Sequence, residues 1–182
     1  MRRPTVGLHV KKKGGFTIIE LVVALAIMGI AVSVAIPGFS RWLPDYRLKA
    51  AATELYTNLQ LAKMYAIRDN TKWGLSFNTG VGGYVFRRGG VSQTEPTPIW
   101  LARYKGGVAF GAGNATDTFP SSGSPPAISV TFPSNEVTFN ARGLADFEGY
   151  VYLQNNKNAA YAVGALTTGF ILMRKWTGTA WE

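Results

Sequence analysis

The sequence contains no cysteine and a single histidine, His9, among its 182 residues. Without cysteine the chain has no disulfide, no thiol nucleophile and no thiolate metal ligand. With one histidine it cannot build a Ser-His-Asp triad, a Cys-His dyad or the usual zinc site. These absences exclude much enzyme chemistry, and we predict a non-enzymatic protein with no catalytic residue, no metal site and no cofactor.

Acidic residues are also scarce, since ten Asp and Glu stand against nineteen Lys and Arg and the formal net charge is +9. Five of the basic residues precede residue 16, in a stretch without any acid: Arg2, Arg3, Lys11, Lys12 and Lys13. Without that stretch the net charge would be +4. The basicity is therefore partly a property of the N-terminus and is weak evidence for a nucleic-acid partner.

Residues 16–36 form an apolar run of 21 residues with one charge, Glu20. At about 1.5 Å per residue, a helix of this length matches the roughly 30 Å hydrocarbon core of a bilayer. The basic flank predicts that residues 1–15 stay in the cytoplasm and that the chain after Pro37 crosses the membrane. A secretory signal cleaved after Ala26 explains the run less well, because its apolar core would be short and a second apolar stretch would remain.

Glu20 is the residue of this run that requires an explanation. A carboxylate inside an apolar membrane segment costs a few kcal/mol unless it meets a positive partner or stays at the interface. We therefore interpret Glu20 as a candidate functional residue. The alternative is a side chain that simply reaches the headgroup level.

Residues 11–30, KKKGGFTIIELVVALAIMGI, resemble the class III leader of type IV pilins. The shared features are a short basic leader that ends in glycine, then Phe-Thr-x-x-Glu and an apolar stretch. The resemblance implies that a prepilin peptidase cleaves after Gly15 and that an N-methyltransferase modifies Phe16. It also implies that Glu20 guides docking of the subunit into a helical filament.

Gly29 and Pro37 resemble the family's helix-weakening pair, between which the helix can unwind within an assembled filament. Physical reasoning supports this expectation, because glycine is a poor helix former and proline lacks a backbone donor. Pro44, in contrast, suits the first turn of a new helix. We therefore expect a break in the helix between residues 37 and 45.

A second helical pattern follows this expected break. Apolar residues recur at spacings of three and four, which is typical of an amphipathic helix with one buried face: Leu48, Ala52, Leu55, Leu59, Ala62 and Ala66. Asn70 can help to end the helix. The stripe is short for an isolated coiled coil, so we predict that it packs against the residues that follow.

Residues 71–182 hold 16 of the 21 glycines and show no helical period. Short apolar and aromatic runs alternate with turn residues, at 73–77, 84–86, 99–101, 108–110, 128–132, 137–139, 151–153 and 170–173. We predict an α+β fold, with a long N-terminal helix packed on an antiparallel sheet or two small sheets. The predicted segments are a cleaved leader at 1–15, a transmembrane helix at 16–37, a linker and amphipathic helix at 38–70, and a β-rich head at 71–182.

The combined pattern is similar to that of the H-type pseudopilins of type II secretion and the FimT-like minor pilins. The apolar run, LQLAKMYAIRDN at 59–70 and VTFNARG at 137–143 carry this similarity. It implies a filament subunit whose partners are other pilins or pseudopilins, the prepilin peptidase and the inner membrane. The DNA-binding FimT-like members carry Gly-Arg-x-Arg near the C-terminus, whereas residues 169–172 of this chain are Gly, Phe, Ile and Leu.

Three basic residues beside aromatic rings are candidate DNA contacts: Arg103, Arg174 and Lys175. The favoured interpretation is that the neighbouring Tyr104 and Trp176 belong to a sheet core or a subunit interface. A further candidate is the pair Asp146 and Glu148, whose spacing would place two carboxylates on one face of a strand for a cation or for acid-base chemistry. For this pair we favour solvated turn residues.

The sequence therefore predicts a minor pilin or pseudopilin of a type II secretion or type IV pilus filament, which assembles through its N-terminal helix. The predicted location is the inner membrane, as a single-pass protein with a cytoplasmic N-terminus and a periplasmic head, and then the filament. The alternative is a DNA-binding minor pilin used in DNA uptake, with nucleic acid as the less favoured partner.

Overall fold

A computed structural model describes residues 15–93 and 98–182, and the side chains of residues 34–41 are outside the description. The chain divides into two units, Met1–Phe39 and Ser40–Glu182. Apart from Gly15, the predicted leader lies outside the described residues. We call the second unit, Ser40–Glu182, the head.

A single helix, α1, runs over Ile18–Arg68, a length of 51 residues. The sequence predicts a break between residues 37 and 45, but the backbone is helical throughout this stretch. A proline removes one backbone hydrogen bond, and the bonds on either side of it can maintain the helix. The helix ends at Arg68, and Asn70, which is predicted to help end it, adopts a positive φ of 48° just beyond the last turn.

The first sheet contains five antiparallel strands from the beginning and middle of the head. These are β1 (Trp73–Asn78), β2 (Gly83–Arg88), β3 (Val91–Ser92), β4 (Ile99–Trp100) and β6 (Glu136–Phe139). Their order is β3-β2-β1-β6, and β4 pairs with another part of β2. Two short 3₁₀ helices, Leu101–Tyr104 and Pro133–Asn135, lie between strands.

The second sheet contains four antiparallel strands in the order β5-β7-β8-β9. These are β5 (Ala109–Phe110), β7 (Gly149–Gln154), β8 (Ala160–Ala165) and β9 (Ile171–Lys175). Seven of the eight runs picked out in the sequence overlap a strand. The exception is 128–132, where Val130 forms only an isolated bridge with Val151.

Both sheets share one core with α1. The six residues of the predicted stripe each have an exposed fraction of 0%. The same cluster includes Leu75 and Phe86 of the first sheet and Val151 and Val163 of the second. Burial of each large aliphatic side chain contributes about 1.5–3 kcal/mol. The prediction of an α+β fold with the helix stripe packed on antiparallel sheets is therefore confirmed.

The start of β9 is fixed by close backbone contacts. Gly169 has a φ of +76°, and a Cβ at this position would overlap the carbonyl group of Gly143. Lys63 of α1 donates a hydrogen bond from Nζ to the Gly169 carbonyl at 2.9 Å. The turn before β9, the loop after β6 and the helix thus meet at one point.

Candidate assembly segment and head surfaces

The helix of the N-terminal unit exposes apolar side chains on all its sides. Their exposed fractions lie between 49% and 85%: Ile18, Ile19, Leu21, Val22, Val23, Leu25, Ile27, Met28, Ile30 and Val32. A helix that is apolar all round needs an apolar environment supplied by lipid or by other helices. In the described part of the chain, no helix has the length and apolarity required for a membrane span.

Thr17 and Glu20 form the N-terminal cap of α1. The backbone N–H of Glu20 donates to Thr17 Oγ1 at 3.2 Å, and Leu21 N–H donates to the Thr17 carbonyl at 3.1 Å. This is the first half of a capping box, and an acid in the first turn also favours the helix dipole. Sequence reasoning missed Thr17, although the Thr-x-x-Glu spacing was a signal for it.

The Glu20 carboxylate keeps its acceptor capacity. The residue is exposed, and no described residue forms an ion pair with it. Capping therefore explains the backbone position of Glu20 and leaves its charge available for a partner.

The other predicted assembly residues occupy open positions. Gly15 and Phe16 precede the helix and are exposed. A Cβ added at Gly29 would meet nothing within 4 Å, so no packing against the described residues requires a glycine there. Pro37 lies within α1, and its side chain is outside the described residues.

Arg103 is held in an ion pair in the head. Its guanidinium donates from Nη2 to Glu54 of α1, and the hydroxyl of Tyr104 donates to the other oxygen of the same carboxylate. Arg103 also lies over the Tyr104 ring, with Cζ 5.1 Å from the ring centroid. This arrangement ties the 3₁₀ helix Leu101–Tyr104 to α1 and neutralises the charge expected to meet DNA.

Arg174 and Lys175 are exposed, but they point in opposite directions. Adjacent residues of a strand project from opposite faces of the sheet. Lys175 lines a groove of about 970 Å³ beside the stacked rings of Trp42 and Tyr46. The neighbouring Trp176 is buried, with its ring 5.3 Å from that of Trp181. The three predicted DNA contacts therefore do not share one surface.

Asp146 and Glu148 each have a separate partner. Asp146 pairs with Lys72 at 2.7 Å, and Glu148 accepts a hydrogen bond from the Tyr150 hydroxyl at 3.3 Å. Among the described residues, no group of three or more His, Cys, Asp or Glu could hold a metal ion. Asp146 and Glu148 are therefore separate surface residues, one in an ion pair and one in a hydrogen bond.

Burial raises the pKa of four tyrosines of the head, Tyr84, Tyr150, Tyr152 and Tyr161. Burial raises the pKa of Tyr84, whose hydroxyl accepts a hydrogen bond from Asn58 Nδ2 at 3.0 Å. Burial and the nearby negative charge of Glu148 raise the pKa of Tyr150 to about 12. Both hydroxyls therefore remain protonated at neutral pH and serve the packing of the head.

Residues 10–36 match the prokaryotic N-terminal methylation motif. This motif and the long helix packed in an α+β head together define a pilin-like protein, a class of structural subunits. Residues 51–169, more than half of the chain, match the family model described as type II transport protein GspH. The chain therefore belongs to the GspH family.

One relative is the pilin-like protein PilA1 of Thermus thermophilus, which is 38% identical over 102 residues. The match covers 55% of this chain and 62% of that protein, so the chain spans less than two thirds of this relative.

Two solved structures are similar to the chain. The type IV minor pilin FimU of Pseudomonas aeruginosa has a TM-score of 0.44 and 15% identity. The alignment covers 76% of this chain and 94% of FimU. The minor pseudopilin EpsH of the Vibrio cholerae type 2 secretion system has a TM-score of 0.42 and 12% identity. That alignment covers 71% of this chain and 97% of EpsH.

Proposed function

We propose that the chain is a minor subunit of a type II secretion or type IV pilus filament and that it assembles through its N-terminal helix. The observation that carries this proposal is the apolar surface on all sides of residues 16–32, which lie within the methylation motif. Such a surface is unfavourable in water, and packing among neighbouring helices would bury it.

Processing would precede assembly. We infer cleavage after Gly15 and N-methylation of Phe16, since both residues lie before the first helical turn and are accessible to an enzyme. The prepilin peptidase and the methyltransferase would therefore act without unfolding α1. Cleavage would also create a positively charged amine next to the apolar segment.

Glu20 would then select the position of the incoming subunit. Its carboxylate has no ion-pair partner among the described residues, so an N-terminal amine of a neighbouring subunit could neutralise it. In an apolar filament core, an unpaired carboxylate is costly and a paired one is tolerated. The pairing would therefore favour one register of the helices.

Before assembly, we infer that residues 16–36 anchor the protein in the inner membrane with the leader in the cytoplasm and the head in the periplasm. The support is the basic flank together with the apolar sequence, which continues to Ile36. Gly29 and Pro37 would then let the helix unwind between them in the filament.

DNA binding receives less support as a function. The pairing of Arg103 with Glu54 removes one of the three expected cations, and the other two diverge from the strand. Phosphate binding by a groove needs several cations on one track.

The direct test of the function is deletion of the gene, with protein secretion, surface pili and DNA uptake measured in the same strain. Loss of secretion or of pili, restored by the wild-type gene, is expected. Loss of DNA uptake with normal secretion and normal pili would instead support the DNA-binding alternative.

A further inference from the structure

The last strand of the second sheet, β9, has β8 as a neighbour on one side only. In an antiparallel pair, alternate residues direct their N–H and C=O groups towards the neighbour or away from it. The N–H of Trp176 donates to the Ala160 carbonyl at 3.0 Å, which fixes this alternation. The N–H and C=O groups of Ile171, Met173 and Lys175 therefore point to the open side of the strand.

The chain's own C-terminal segment already pairs with one end of this open side. Lys175 N–H donates to the Glu182 carbonyl at 2.6 Å, and Glu182 N–H donates to the Lys175 carbonyl at 2.9 Å. This reciprocal pair is the unit of an antiparallel ladder. Among the described residues, no group pairs with the open side of Ile171 or Met173. At Lys175 the open side of β9 is therefore paired with Glu182, whereas Ile171 and Met173 have no partner on that side within the described part of the chain.

A groove of about 320 Å³ lies beside these unpaired residues. Tyr56 of α1 lines one side of it, and the other lining residues are consecutive: Phe170, Ile171, Leu172, Met173 and Arg174. Phe170 is 63% exposed, and Arg174 is the charged residue of the lining. Ile171 is 3% exposed, and Met173 is half-buried and the more accessible of the two. The groove therefore combines unpaired backbone groups, two aromatic rings and one positive charge.

We infer that this groove binds an extended acidic segment of another polypeptide, which adds to β9 as a strand at Ile171 and Met173. In strand addition, main-chain hydrogen bonds supply affinity and alternate side chains supply selectivity. One set of the added side chains would face Tyr56 on the helix side, where apolar residues fit. The other set would lie on the face of Phe170 and Arg174, where a carboxylate can pair with the guanidinium.

The inference goes beyond filament assembly and does not depend on it, because it concerns only head residues. An unpaired strand edge is a template for another chain, and a positive charge beside it selects against basic segments. The C-terminal pairing at Lys175 limits the available length to the Ile171 and Met173 end. A short segment of alternating apolar and acidic residues is therefore the expected ligand.

The probe is a capped octapeptide of alternating valine and glutamate, added to the full-length chain in detergent micelles. Amide hydrogen exchange followed by NMR should show protection of Ile171 and Met173 at millimolar peptide. The matched control is the same peptide with N-methyl groups on alternate amides, which keeps every side chain and charge but removes backbone donors. We expect it to bind at least about tenfold more weakly, a change of about 1.4 kcal/mol.

Two variants test the protein side. Met173→Pro removes an open-side N–H and keeps the hydrogen bonds to β8, so it should weaken the peptide at least about tenfold. Arg174→Glu should weaken binding of the acidic peptide and strengthen binding of the same peptide with lysine in place of glutamate. Lys105→Glu makes the same charge change at an exposed residue that does not line the groove and should leave both affinities within about twofold.

Equal binding of the N-methylated peptide would overturn the inference, as would an absence of protection at Ile171 and Met173. If Met173→Pro fails to fold, the two peptides on the wild-type chain still decide. Self-association that Met173→Pro abolishes would assign the edge to a second copy of the chain instead. Protection by single-stranded DNA and not by the acidic peptide would also contradict it.

Discussion

Thr17 Oγ1 accepts a hydrogen bond from the backbone N–H of Glu20 at 3.2 Å, at the first turn of α1. The Phe-Thr-x-x-Glu signature thus has a structural role as a helix cap, in addition to any role of the Glu20 charge. A substitution at Glu20 changes both the first turn and the charge, whereas a substitution at Thr17 changes only the cap. The two roles can therefore be separated by experiment.

Processing should depend on Gly15. The mature protein isolated from membranes should begin at Phe16 and carry an N-methyl group, as measured by intact mass. Gly15→Arg should accumulate as the full-length precursor, because a long cationic side chain replaces the small residue before the cleaved bond. A mature protein that begins at Met1 or Met28 would contradict this prediction.

The head should fold without the N-terminal unit. The segment Ser40–Glu182 expressed alone should be soluble and show mixed α and β circular dichroism, since the strands cover the helix stripe. Leu55→Asp places a charge at a fully buried position and should cost more than about 4 kcal/mol of unfolding free energy. Thr57→Asp, on the exposed face of the same helix, should stay within about 0.5 kcal/mol. Equal stability of the two variants would mean that the stripe is not a core.

Stability should fall between pH 10 and pH 12 in a way that depends on Tyr150. Its pKa is raised from 10.0 to about 12, so the folded state holds the phenol proton more tightly than the unfolded state. The stabilising contribution is complete below pH 10 and is lost as the pH rises to 12. Urea unfolding of the detergent-solubilised chain should show that the unfolding free energy of Tyr150→Phe falls less steeply with pH than that of the wild type. Glu148→Gln should show an intermediate slope. An unchanged slope in Tyr150→Phe would contradict the assignment.

DNA binding by the head should be weak and sensitive to salt. Each phosphate neutralised on duplex DNA adds about 0.9 to the slope of log affinity against log salt. Because Arg174 and Lys175 diverge, we expect a small slope and no binding near physiological salt in mobility-shift assays. Tight binding at that salt, lost in the double variant Arg174→Ala and Lys175→Ala, would make DNA uptake the leading function.

Periodicity predicted the fold where burial follows a regular spacing. The helix stripe from Leu48 to Ala66 is of this kind, and β6 alternates between half-buried and buried residues. Most other strands were indicated by their apolar and aromatic runs, since β7, for example, is buried on both faces. The sequence did not predict β8, because Ala160–Ala165 consists mainly of small residues with low strand propensity. Its position explains the composition: a Cβ at Gly164 would overlap the Gly149 carbonyl and the Tyr150 ring.

The candidate sites were predictable only where they are local in sequence. The leader signature, Glu20 and the cap at Thr17 lie within a few residues of one another. The pairing of Arg103 with Glu54 joins residues 49 positions apart, and the pairing of Glu182 with Lys175 depends on a chain reversal. Such contacts arise from tertiary packing, so no spacing rule indicates them.

The most direct test of the assembly account is the amount of each variant in purified filaments, relative to its amount in membranes. Glu20→Val should reach the membrane at the wild-type level, because removal of an acid eases insertion, and should be depleted at least about tenfold from filaments. Thr17→Ala, which loses the cap and keeps the charge, should remain within about twofold, and Glu20→Asp should fall between the two. Normal incorporation of Glu20→Val, or equal depletion of Thr17→Ala, would contradict the proposal that the Glu20 charge directs assembly.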